Sequence, residues 1–163
     1  GPALAGGTTL ARFDVGRADR IPLFLKEGAL LPLEVRNDVT GLGTAAHAGH
    51  LTVVAWRGPA PTRFVLHETD GETTTIDAVR GTSDATVTLS RSVRPVVLVV
   101  RVDGPTSVVF MRDGNGVELA IPVVEDLFAQ QLGRVVSPGG LWVRVRLPPT
   151  SSPRTLRVTF PTP

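Results

Sequence analysis

The stretch from Pro61 to Ile76 constrains the fold more than any other, because it reads as two strands reversed by a tight turn. Before Asp70 the residues alternate, with Phe64 and Leu66 on one side and Arg63, Val65 and His67 on the other, as a half-buried strand requires. Asp70-Gly71 then reverses the chain. Asp can hydrogen-bond its own backbone and Gly reaches positive φ without a Cβ clash, so the pair favours a hairpin. A second strand, rich in Thr and carrying Ile76, follows from Glu72 to Ala78.

The same grammar recurs along the chain. Leu51 to Trp56 reads as a strand, Asp84 to Ser90 sets Ala85, Val87 and Leu89 against Thr86 and Thr88, and Pro95 to Val100 is continuously apolar. The last of these predicts a strand buried on both faces. Asp113-Gly114-Asn115-Gly116 marks a second hairpin, between strands over Thr106–Met111 and Gly116–Ile121. Leu141 to Leu147 and Thr155 to Phe160 close the chain as strands, and Thr9 to Val15 reads as an edge strand. Pro22 and Pro32 lack a ladder donor, which places them at strand starts or bulges. Only Pro122 to Gln131 has helical character, with Pro122 suited to a first turn and Glu125 and Asp126 to the positive N-terminal end. The expectation is an all-β, antiparallel β-sandwich with at most one short helix. Asp103-Gly104-Pro105 divides it into two small sandwich subdomains, residues 1–103 and 104–163.

Composition excludes several classes of function. With 17 Lys and Arg against 15 Asp and Glu, the net charge of +2 gives no strong field for nucleic acid or membrane. Arg144 and Arg146 share one strand face, but no aromatic interleaving accompanies them, so they read as a solvated face. Absence of Cys removes disulfides and thiolate metal sites and leaves the compartment open. No apolar run approaches the roughly 20 residues of a membrane-spanning helix. Gly41-Leu42-Gly43-Thr44-Ala45-Ala46 has the spacing of a dinucleotide fingerprint, but strand-like sequence resumes at Leu51 before a receiving helix could form, so no cofactor is expected. His47, His50 and His67 could in principle meet at a metal, yet the first two lie among Gly and Ala, in a loop rather than a preorganised cage, and no metal site is expected.

The run Asp19-Arg20-Ile21-Pro22-Leu23-Phe24-Leu25-Lys26-Glu27-Gly28-Ala29-Leu30-Leu31-Pro32-Leu33, then Leu51 to Trp56, then Phe64 to Thr73, closely resembles the region after the catalytic barrel in glycoside hydrolase family 31. The resemblance covers most of residues 6–103 and is looser beyond 104. This chain has His67 and Thr69 where the family usually has Tyr and a second Asp. It implies a proximal sandwich followed by a distal one, with the barrel and its two catalytic aspartates upstream of residue 1. It further implies that the chain is an accessory region without catalytic residues of its own, whose partner is the (β/α)8 barrel of a parent enzyme. Ile21, Pro22, Leu23, Phe24, Leu30 and Leu31 are the apolar residues expected to meet it.

Two other readings compete. A retaining glycosidase needs two carboxyl groups about 5–5.5 Å apart, one of them shielded enough to stay protonated. Glu68, Asp70 and Glu72 could supply a pair, but a short polar turn offers no shield, so a turn-stabilising role is expected. Trp56 and Trp142 could stack on a sugar ring, although a strand Trp usually packs inside. Trp56, next to Arg57 and a Gly58-Pro59 turn, is the better candidate, and with Arg57, Glu68 and Asp70 it outlines a possible glycan site.

Overall fold

The computed structural model describes residues 5–6, 26–34, 48–56, 58–102, 108–137 and 142–160. Among these are eleven strands and no helix: β1 (Leu30–Glu34), β2 (Leu51–Ala55), β3 (Thr62–His67), β4 (Thr73–Arg80), β5 (Asp84–Leu89), β6 (Val96–Arg101), β7 (Val108–Arg112), β8 (Glu118–Ala120), β9 (Gly133–Val136), β10 (Trp142–Leu147) and β11 (Arg154–Thr159). A first sheet has the order β1-β2-β6-β10-β9 and a second the order β3-β4-β5-β11-β7-β8. All pairings are antiparallel except β2 with β6. The chain is therefore an all-β sandwich.

Alternation produces the layers. Along β5 the residues Ala85, Val87 and Leu89 turn inward, and in β10 so do Val143, Val145 and Leu147. Together with Ile76, Leu98, Leu156 and Val158 they fill the space between the sheets. Central strand β6 is buried on both faces, as its unbroken apolar sequence requires. Val96, Leu98 and Val100 face the intersheet core, whereas Val97 and Val99 point outward beneath Leu127, Val124 and Phe128.

That outer cover is the segment expected to be helical, and it is an irregular loop. The Asp126 carboxylate accepts the Phe128 amide at 2.8 Å, and Val124 and Arg134 tie the segment to β9 through backbone bonds of 3.0 and 2.9 Å. Asp satisfying a local amide competes with helix formation, and here the burial of Leu127 and Phe128 on the first sheet decides the contest. Two further expectations change. Both sheets mix strands from before and after residues 103 and 104, because β10 pairs with β6 and β11 with β5, so the described residues form one sandwich instead of two. Pro32 sits in the middle of β1, opposite Val53, and is tolerated there because β1 is an edge strand with one side free of ladder bonds.

Both expected hairpins form, and they share one geometry. The amide of Gly71 donates to the Glu68 carbonyl and that of Gly116 to the Asp113 carbonyl, while the flanking pairs Glu68–Glu72 and Asp113–Val117 close at 2.9 and 3.0 Å. Gly71 and Gly116 each have φ of +83°, the left-handed turn position at which a Cβ is penalised.

Candidate functional site

The β3–β4 hairpin brings Glu68, Asp70 and Glu72 to one end of the second sheet, and the connection from β5 to β6 supplies two arginines to meet them. Glu68 is not exposed with the rest of the turn: its side chain is only 2% exposed. It accepts a hydrogen bond from Thr74 Oγ1 at 2.9 Å and an ion pair from Arg94 at 3.1 Å. Asp70 and Glu72 are exposed and share Arg91, at 2.7 and 3.4 Å. The Asp70 carboxyl is held below its usual range, first by the Glu72 amide it accepts and then by the Arg91 guanidinium. A general acid needs the opposite shift, so this cluster fastens the hairpin to the β5–β6 connection and leaves no shielded, protonated carboxyl at Asp70.

The pairing predicts an acid response. Asp70 and Glu118 are both depressed, the latter by Arg157 and then Arg112. A carboxylate with a lowered folded pKa binds fewer protons in the native state, so its contribution is complete above the unfolded value and is lost as pH falls through the folded one. Melting temperatures are expected to fall below about pH 4, and to fall less steeply in Asp70→Asn/Glu118→Gln. Thermal melts from about pH 7 to about pH 3 measure this, and equal slopes in both proteins would remove the two carboxylates from the account.

A second constellation lies on the outer face of the first sheet. Trp142 stands opposite Arg101 across the β6–β10 ladder, and Trp56, one residue past β2, flanks Arg101 on the other side. The indole centroids are 5.3 Å apart in an edge arrangement, with the Arg101 guanidinium 5.6 Å from Trp56 and 5.2 Å from Trp142. Both rings are half-buried. Trp56 is thus neither a core residue between the sheets nor a free platform, since Trp142 and Arg101 already occupy it.

The remaining expected residues do not gather at either place. Arg57, Ile21, Pro22, Leu23 and Phe24 lie outside the described residues, as do His47 and the Gly41–Ala46 segment. Leu30, expected to meet another domain, packs on the intersheet core, and Leu31 is half-buried in the same edge strand. His50 is buried, accepts Arg146 Nε at 3.3 Å and meets the Phe128 ring edge-on, while His67 is exposed at the end of β3. No metal-holding group occurs among the described residues. Arg146 is not solvated as expected. It lies beneath the 122–131 loop, donating to the Phe128 carbonyl at 3.1 Å and to the Gln130 carbonyl. An open groove of about 410 Å³ runs over Arg63, Asp77, Val79, Thr86 and Thr88 on the second sheet, but its two charges are paired with each other at 2.6 Å. Arg91, Arg94 and Arg101 were missed in the sequence. Each is defined by what lies across the sheet or connection from it, and no local pattern carries that.

No protein-family model matches the chain, and no curated protein matches it in sequence. Solved structures do share its fold. A cycloalternan-forming enzyme from Listeria monocytogenes superposes with a TM-score of 0.68 at 12% identity, over 82% of this chain and 13% of its own. An uncharacterized protein from Listeria monocytogenes EGD-e gives 0.67 at 13% identity, over 82% and 13% of the two chains. A GH31 dextranase from Flavobacterium johnsoniae gives 0.63 at 16% identity, over 83% and 19%. The chain thus spans under a fifth of each of these proteins. What it shares with them is a fold: it is a β-sandwich of the kind that forms a minor part of a GH31 dextranase and of a cycloalternan-forming enzyme.

Proposed function

We propose that the chain is a non-catalytic accessory β-sandwich of a family 31-like glycoside hydrolase, which packs on and stabilises the parent's catalytic barrel. The observation that carries this reading is the asymmetry of the match, over 82% of this chain but 13% of the larger enzyme. The candidate chemistry agrees with it. Glu68 is committed to Arg94 and Thr74 by hydrogen bonds, and the Asp70 carboxyl is held below its usual range, opposite to the shift a general acid needs.

The purified chain, incubated with dextran and with soluble α-1,4-glucan, is expected to release no reducing sugar above the buffer rate. Turnover abolished by Glu68→Gln or Asp70→Asn would overturn the reading and make the hairpin an active site. Calorimetry with the same glucans is expected to show no saturable heat. Saturable binding lost in Trp56→Ala would instead make the sandwich a carbohydrate-binding module.

A further inference from the structure

Most described arginines have an oxygen partner. Arg63, Arg91, Arg94, Arg112 and Arg157 each meet a carboxylate, and Arg134, Arg146 and Arg154 donate to backbone carbonyls. Arg101 has neither kind of partner among the described residues, and its Nε, like that of Arg94, is buried without a hydrogen-bond partner. Arg144 is likewise without a carboxylate or carbonyl among them. It projects on the same outer face, because Arg144 stands opposite Val99, two residues before Arg101 on β6. Two guanidinium groups with no acidic partner among the described residues therefore lie on one sheet face, one of them set against the indoles of both Trp56 and Trp142.

A guanidinium held against aromatic rings has already lost much of its rotamer freedom, and it presents its remaining donors in a fixed fork that fits a carboxylate. Trp and Arg are also enriched among the residues that dominate binding at protein interfaces. A neutral sugar is a poorer match, since it offers the guanidinium no opposite charge. We propose that Trp56, Arg101, Trp142 and Arg144 form a docking point for an acidic segment of a neighbouring domain, bound through its carboxylates. The proposal rests on the reading of the chain as an accessory domain of a larger protein and names the surface and charge by which it would engage.

The test uses a convenient fact: the chain's two tryptophans are both in this cluster, so intrinsic fluorescence reports on it alone. Hexaglutamate, added to the full chain at low salt, is expected to change the emission saturably. Arg101→Gln is expected to weaken that affinity about tenfold or more, the effect of losing one charge-assisted pair. Arg63→Gln, a charge loss on the other sheet, serves as control and is expected to leave the titration unchanged. Arg101→Lys, which keeps the charge but not the planar fork, is expected to fall between wild type and Arg101→Gln. Absence of a saturable change with hexaglutamate, or equal titrations of wild type and Arg101→Gln, would overturn the proposal. A response to neutral maltohexaose with none to hexaglutamate would overturn it in favour of a glycan site. Catalytic turnover by the chain would instead sink the accessory reading, and the two failures are therefore separable.

Discussion

Glu68→Ala is expected to lower the unfolding free energy by about 3 kcal/mol, although the residue lies in a polar hairpin that looks tolerant in sequence. The mutation leaves Arg94 without its carboxylate and strips Thr74 Oγ1 of its acceptor at a buried position. Removing one partner of a buried pair is costly because the other remains desolvated. The value is set at the low end because Arg94 is 30% exposed and can recover water. Arg94→Ala is expected to cost at least as much, since the carboxylate it abandons is the more deeply buried member. The double variant is expected to lose clearly less than the two single losses combined. Urea unfolding followed by circular dichroism measures all three proteins. A loss below about 1 kcal/mol for Glu68→Ala would show that the clamp between hairpin and β5–β6 connection contributes little.

A still larger loss, about 4 kcal/mol, is expected for Leu98→Ala. Leu98 is fully buried at the middle of β6, the central strand of the first sheet, and faces the second sheet. Its truncation removes apolar burial and leaves a cavity, and neighbours on β2 and β10 are fixed in register by ladder bonds and cannot close in. For a chain of this length the melting temperature is expected to fall by about 10 °C. Leu119→Ala provides the contrast. Leu119 is 50% exposed on the edge strand β8, and its loss is expected to stay within about 0.5 kcal/mol. Similar melting temperatures for the two variants would show that the core does not lie between the sheets.

How far the sequence carried can be judged at particular residues. Alternation around Phe64 and Leu66, and along Ala85, Val87 and Leu89, gave the strands and the inward faces, because side-chain period and backbone conformation are local properties. The Asp-Gly and Asn-Gly pairs gave both hairpins for the same reason. The loop at 122–131 was misread as helix because Pro122, Glu125 and Asp126 carry the local signals of a helix N-terminus, whereas the outer surface of β6, which receives Leu127 and Phe128, is absent from the local sequence. A boundary at 103 and 104 was expected because a Gly-Pro break looks like a linker in one dimension, whereas pairing of β6 with β10 and of β5 with β11 erases it in three.

The candidate sites divide in the same way. Composition and turn chemistry alone determined an all-β sandwich, two tight acidic or polar hairpins and a central strand buried on both sides. Tertiary structure alone decided that Glu68 is buried while Asp70, two residues on, is exposed, and that Trp56 and Trp142 meet across Arg101. Strand order and register bring together residues far apart in the chain, and burial follows from whether a second layer covers a given face, which no local period records.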